Sequence, residues 1–394
     1  MKNYLLIILL SCLICSCHIF RVIKWGLPDP RDNRKQSVVK YQASKKIIKI
    51  PVSEKSLSLP ISDFICKNIL SKESKTNSFI IIKDDSIVYH YAKMGQFHPQ
   101  MCFSISKTIV TTMIGIAIKQ GKIKSTNDKI ISYLPELDTS KYMKTVTIEH
   151  LLDMTANLSF DETIIGLNTP LVKLYYGNNL NRLLKKVQKN DSSFKFIYQN
   201  VCTQLLVSII EKATKTKFQD YTKVELLDKL GFESNYSWII DNKTDKTVKG
   251  FFGFSCDIKD LGKFGQLYLN KGIYNGDTIL SQSWVNSSVD LDTLYKNSYN
   301  NGWWANNQSQ TFKFYTEEQF KNYIFNNNIS GNITYENNGI YKLTARGNVY
   351  NAYGYLDQFM FIHPEKRLIV IRLGDDPKKD IDLDQTILRL INAL

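Results

Sequence analysis

Strand-forming apolar runs stand at both ends of this chain, and their separation constrains the fold more than any other feature. Ser78-Phe79-Ile80-Ile81-Ile82, the polar Lys83-Asp84-Asp85-Ser86 and Ile87-Val88-Tyr89-His90-Tyr91 predict a β-hairpin near the start. Phe359-Met360-Phe361-Ile362 and Leu368-Ile369-Val370-Ile371-Arg372-Leu373, around the turn Pro364-Glu365-Lys366, predict a second strand pair near the end, followed by a helix from about 383 to 394. The residues between read mostly as helix. One helix is expected from about 104 to 121, with Ile109, Val110, Met113, Ile114 and Ala117 on one face and Gly121 as its stop. Others are expected at 148–154 and 204–214, within a mostly helical stretch from about 125 to 245. A lone hairpin is marginal in water, so the two end blocks are expected to share one antiparallel sheet. The expected class is α/β (α+β): an antiparallel sheet flanked by helices, with a mainly helical region inserted. Residues 296–338 are Asn-rich and expected to be loop-rich.

Twenty Phe, 22 Tyr and 5 Trp in 394 residues are more aromatic surface than a disordered chain carries. Lys and Arg number 51 against 37 Asp and Glu, a net charge of +14. Half of that excess lies between residues 18 and 50, where nine Lys/Arg face Asp29 and Asp32. No zinc-finger spacing, basic recognition helix or aromatic RNA-binding signature accompanies it, so no nucleic-acid partner is expected.

The basic stretch follows an apolar start. Lys2, the run Tyr4-Leu-Leu-Ile-Ile-Leu-Leu10 and Ser11-Cys12-Leu13-Ile14-Cys15-Ser16-Cys17 have the layout of an export signal. Ile14-Cys15-Ser16-Cys17 also resembles a bacterial lipobox, which implies a lipid on Cys17; Leu10-Ser11-Cys12 is a poorer candidate. The competing reading is one uncleaved helix from about Tyr4 to Ile23, near the ~20 residues a bilayer needs. Either way the rest of the chain is expected outside the cytoplasm, anchored to a membrane on the periplasmic or extracellular side. The expected division is a leader over 1–17 (or an anchor to about 23), a basic membrane-proximal linker over 18–60, and one domain over 61–394. Cys66, Cys102, Cys202 and Cys256 form no CxxC pair, and the five His lie far apart in sequence, so no metal site is expected. Buried free thiols are the preferred reading of those four, and His150 reads as a satisfied core histidine.

Chemistry enters at Ser104-Ile105-Ser106-Lys107. Residues i and i+3 share a helix face, so the Lys107 amine can reach the Ser104 hydroxyl. The helix N-terminus adds positive potential beside the nucleophile. A lysine whose charge is disfavoured there can take the serine proton.

That motif does not stand alone. Cys102-Phe103-Ser104-Ile105-Ser106-Lys107-Thr108 is followed by Met113-Ile114-Gly115-Ile116-Ala117-Ile118-Lys119-Gln120-Gly121 and Asp128-Lys129-Ile130-Ile131-Ser132-Tyr133-Leu134-Pro135. Then come Val146-Thr147-Ile148-Glu149-His150-Leu151-Leu152, Tyr198-Gln199-Asn200 and Lys259-Asp260-Leu261-Gly262-Lys263-Phe264-Gly265. In this order the blocks resemble the serine β-lactamase-like family, which holds class C β-lactamases, D,D-peptidases and 6-aminohexanoate-dimer hydrolases. The resemblance covers roughly residues 60–394 and implies the β-lactamase/transpeptidase-like fold. It implies Ser104 as nucleophile, Lys107 and Tyr198 as the groups that move its proton, and Asn200 as a residue positioning substrate or Lys107. Gly354-Tyr355-Leu356-Asp357-Gln358 resembles the third motif. There Gly354 would leave room for substrate and the Tyr355 amide, with that of Ser104, would hold the oxyanion; residues 345–347 are a rival placement.

The resemblance implies a serine hydrolase cleaving an amide or ester, small-molecule or peptide-like, through an acyl-enzyme, with no metal or cofactor. A β-lactamase or D,D-carboxypeptidase is the alternative. Asp357 stands where the family usually has Gly. An ionised Asp357 beside the oxyanion would oppose its charge, which favours a third reading, a catalytically weak binding or sensor protein that keeps the fold.

Overall fold

Residues 17–163, 166–290, 299–305, 316–319, 321–322, 331–336, 340–345 and 349–394 are described by the computed structural model. Seven antiparallel strands form its central sheet, in the order β3 (Ser86–Ala92), β2 (Thr76–Lys83), β15 (Leu368–Gly374), β14 (Gln358–His363), β13 (Tyr350–Gly354), β10 (Trp303–Ala305) and β9 (Tyr299–Asn300). The two end blocks meet where β2 pairs with β15, Ile80 opposite Ile371 and Ile82 opposite Ile369. These strands are apolar without alternation because both their faces are covered. Ile80, Ile82, Ile369 and Ile371 belong to a core shared with helices α2 (Ser106–Lys119), α4 (Asn200–Thr214) and α5 (Ile258–Leu269). Phe79, Ile81 and Val370 belong to a second core under helix α6 (Leu383–Ala393). A Cβ on Gly262 would stand 2.6 Å from the Ile82 Cδ1, so glycine is what lets α5 lie against the sheet. The Lys259–Gly265 block is structural at its polar positions too. The buried Asp260 carboxylate accepts the amides of Glu233 and Ser234, and buried Lys263 donates to Asp260 at 2.8 Å and to the Gly231 carbonyl at 2.9 Å.

A second sheet has the order β1 (Val38–Tyr41), β5 (Tyr236–Ile239), β6 (Phe254–Cys256), β4 (Gln100–Met101). Two ribbons complete the strands, β7 (Ile273–Tyr274) with β8 (Asp277–Thr278), and β11 (Gly331–Glu336) with β12 (Ile340–Ala345). The stretch from 125 to 245 holds several short helices and turns besides α4, and contains β5, so it is less helical than its sequence suggests.

Residues 18–60 are not a linker. Helix α1 (Cys17–Trp25) packs on helix α3 (Pro170–Tyr176): Arg21 donates to the Tyr176 carbonyl at 2.9 Å, and the Tyr176 hydroxyl donates to the Gly26 carbonyl at 2.6 Å. Asp32 is buried and accepts from the Tyr175 hydroxyl at 2.5 Å. Lys249, also buried, ties Gln36 to the carbonyls of Tyr175 and Gly177. Burial pushes the Lys249 amine down to about 7. β1 then pairs with β5 along its whole length. The charge count hid an apolar pattern, since Ile19 and Ile50 are buried and Val22, Trp25, Val38, Val39 and Ile48 pack on the core.

Among the described residues no helix is long and apolar enough to cross a membrane. The run Tyr4–Leu10, Cys12 and Cys15 lie outside the described residues, and Cys17 is the first residue of α1. Cys102, Cys202 and Cys256 are buried free thiols, with the sulfurs of Cys102 and Cys256 3.7 Å apart, while Cys66 is an exposed one. His150 is a cap rather than a core residue: its Nδ1 accepts the Thr147 amide at 3.1 Å, and its ring stacks on Phe194.

Candidate active site

Ser104 lies in the tight turn Phe103–Ile105 that leads into α2. The turn brings Phe103 to a φ of 47°, a left-handed conformation that costs a bulky residue on the order of 1–3 kcal/mol. Such strain persists only where packing over-determines it, and Phe103 is buried with its ring edge-to-face on Tyr355 at 5.7 Å. The Ser104 hydroxyl is thereby held at the helix N-terminus, partly exposed.

One turn on, Lys107 is only 1% exposed. Its Nζ donates to Ser104 Oγ and to the Phe251 carbonyl, both at 2.8 Å, and among the described residues no carboxylate is hydrogen-bonded to it. Burial pushes this amine down to about 7, with Glu162 pulling it partly back up. Near neutral pH a large share of Lys107 is therefore uncharged, poised to accept the Ser104 proton while the Phe251 carbonyl fixes its direction.

Tyr198 presents its ring to Lys107, Nζ lying 5.0 Å from the ring centre. Its own position comes from packing against Tyr299 and Trp304, at 5.9 and 5.6 Å. Burial raises the Tyr198 phenol, the Glu162 charge raises it further, and hydrogen bonding with Ser104 opposes them. Tyr198 is thus a neutral hydroxyl here, able to relay a proton and unable to serve as a standing phenolate.

Asn200 is hydrogen-bonded to Glu162. Its Nδ2 donates to Glu162 at 2.6 Å, and the same carboxylate accepts the Val201 amide at 3.1 Å, capping the start of α4. Between Tyr198 and Asn200, buried Gln199 donates to the carbonyls of Leu158 and Phe160 at 2.9 Å and accepts the Leu158 amide, fixing the loop that carries Glu162. Burial raises the Glu162 carboxyl, against which the Asn200 and Val201 hydrogen bonds and Lys107 act. Nothing in the local spacing marks Glu162. Only the bonds made across roughly forty residues of chain bring it to the site.

Gly354 ends β13 directly against the nucleophile's turn. A Cβ there would stand 2.5 Å from the Cys102 carbonyl, so no other residue fits without movement. The rival placement at 345–347 ends in residues outside those described. Tyr355 follows, half-exposed, its ring against that of Phe103, the neighbour of Ser104. The turn that carries it has left-handed Leu356 and Asp357 and is fixed from behind. Fully buried Arg372 donates to the Leu356 and Asp357 carbonyls at 2.9 and 2.8 Å, while buried Gln358 donates to those of Tyr355 and Leu356.

Asp357 is not where its charge was expected. Its carboxylate accepts from the Tyr353 hydroxyl at 3.0 Å. Tyr353 packs on Phe359, on the face of the sheet that belongs to the second core, whereas Tyr350, Ala352 and Gly354 turn toward α2. Asp357 itself lies in the turn beyond the strand, with its carboxylate held on Tyr353. Burial raises its carboxyl, with Tyr353 and Arg372 opposing. Asp357, Tyr353 and Trp304 border a cavity of about 680 Å³, and Ser104, Lys107 and Tyr198 do not line it.

A family model described as Beta-lactamase matches residues 73–391. The 6-aminohexanoate-dimer hydrolase of Paenarthrobacter ureafaciens is 22% identical over 263 residues, which span 59% of this chain and 65% of that relative, less than two thirds of its length. Among solved structures, a Bacillus anthracis protein described as a 6-aminohexanoate-dimer hydrolase superposes with a TM-score of 0.67 at 16% identity, covering 91% of both chains. A class C beta-lactamase from Rhodobacter sphaeroides superposes with a TM-score of 0.57 at 15% identity, over 85% of this chain and 99% of that one.

Proposed function

The chain belongs to the beta-lactamase family, and on that premise we propose that it is a serine hydrolase that opens an amide or ester through an acyl-enzyme on Ser104. The observation that carries the reading is the short contact between Ser104 Oγ and a buried amine held near neutrality. In this mechanism uncharged Lys107 takes the proton as Ser104 Oγ attacks the carbonyl carbon. The amides of Ser104 and Tyr355 hold the oxyanion. Lys107 returns the proton to the leaving group, with the Tyr198 hydroxyl as relay. The reverse path activates water, which cleaves the acyl ester and frees Ser104. Asn200 acts through Glu162: the pair fixes the start of α4 and sets how much charge Lys107 carries.

The amide and ester reading ranks above a β-lactamase or D,D-carboxypeptidase, because Gly354-Tyr355-Leu356 offers no cation to a substrate carboxylate. The binding-protein reading is weakened because the Asp357 carboxylate is engaged by the Tyr353 hydroxyl. The same proposal has the chain outside the cytoplasm, held at a membrane through a lipid on Cys17. Intact-mass labelling of the full chain with a fluorophosphonate tests the chemistry. A single adduct absent from Ser104→Ala is expected, followed by turnover on an ester and amide panel. No adduct on a folded protein would sink the hydrolase reading.

A further inference from the structure

Helix α1 carries two faces that do not mix. Ile19 is buried, and Val22 and Trp25 pack on the core. On the other side Phe20, Ile23 and, just past the helix end, Leu27 are 51%, 67% and 79% exposed. Positions 20, 23 and 24 lie along one helical stripe, and Cys17 precedes Phe20 in the same register. Single exposed apolar residues are ordinary, but three large ones in a row at a helix surface mark an interaction face. Lys24 stands among them, exposed, and α1 contains no acidic residue.

The sequence says what covers this face. The apolar run Tyr4–Leu10 ends just before α1 begins, and the nine Lys/Arg between 18 and 50 follow it. An apolar face with an exposed lysine, directly after the proposed anchor, has the composition of a helix lying in the headgroup layer of an anionic bilayer. We propose that α1 is such a helix, with Phe20, Ile23 and Leu27 inserted among the lipids and Lys24 at the phosphates. This rests on the anchoring proposed through Cys17 and goes beyond it, because an anchor alone leaves the folded body free of the surface. Docking would also orient the body, because α1 packs on α3 and the Tyr176 hydroxyl of α3 bonds to the Gly26 carbonyl.

The test uses the full chain reconstituted in phosphatidylcholine vesicles, with and without phosphatidylglycerol. An environment-sensitive fluorescent amino acid is placed by stop-codon suppression at 23, at 27 or, as control, at exposed Val224. Flotation reports the anchor; a blue-shifted emission quenched by brominated lipid reports docking. Quenching is expected at 23 and 27 and not at 224, falling when phosphatidylglycerol is omitted. Phe20→Asp combined with Leu27→Asp should lose the quenching while still floating. A chain that floats with 23 and 27 emitting as in water overturns docking and leaves the anchor standing. A chain that does not float overturns both. A blue shift at 23 that appears without vesicles and grows with protein concentration overturns docking in favour of a second copy on this face.

Discussion

Lys107 stores the main electrostatic penalty of the site, and its sign can be worked out. The amine stands at about 7 in the fold against 10.5 in an ordinary lysine. Between those values the unfolded chain holds a proton that the folded chain lacks, so stability rises with pH there, by ~1.4 kcal/mol per unit. Lys107→Met removes that slope. The stability of the wild type relative to this variant should therefore climb from pH 7 to 10, as read by urea unfolding; a flat difference would mean that the amine is not desolvated. Activity should fall by about 10²–10⁴-fold in the same variant. In the wild type the rate should rise with pH through about 7. Because Glu162 favours the charged amine, Glu162→Gln should move that limb to lower pH, and a limb displaced upward would exclude Glu162 as its electrostatic partner.

Among the elements, the turn between β13 and β14 is built from behind. Arg372 has its guanidinium on Thr76 and on the carbonyls of Ser74, Leu356, Asp357 and Asp375, and burial lowers it to about 10. Arg372→Leu would leave several buried carbonyls unpaired at about 1–3 kcal/mol each, so stability and turnover should drop together. Asp357→Asn is the contrasting case. Its carboxylate is engaged by Tyr353, and kcat/KM should change by no more than about twofold, the scale of a ±0.5 kcal/mol substitution. A large gain in rate would return Asp357 to the oxyanion.

Much at this scale was legible from the chain. The hairpin at 78–91, the strand pair around Pro364, the helix after Ser104 and the meeting of Ser104 with Lys107 all follow from short-range spacing. What could not be read is set by long-range contacts. Glu162 reaches the site only through Asn200, Val201 and Gln199. The bond of Asp357 to Tyr353 needed the fold of the turn between β13 and β14, and Tyr198 needed its burial to be known before its proton could be assigned.

The whole molecule includes its N-terminal stretch, the point on which sequence reasoning went furthest astray, because it weighed charges and not the apolar residues between them. A chain beginning at 61 would expose the core face under Ile19 and Ile50, each worth about 1.5–3 kcal/mol of burial, and would strip β1 from β5. It should melt well below a chain beginning at 18, as measured by calorimetry, whereas equal melting temperatures would restore the linker.

The folding of 18–60 onto the body has a consequence in distance. Forty-odd residues of open chain would extend as far as ~140 Å, a tether on which an enzyme could sweep a hemisphere. Packed as α1 and β1, the same residues give no radius at all. On the anchoring proposed above, the height of Ser104 above Cys17 would be a fixed property of the molecule, leaving lateral diffusion and rotation about the membrane normal as its means of search. Substrates would then be met in a thin layer parallel to the surface, so the frequency of encounter would follow their density in that layer rather than in the bulk.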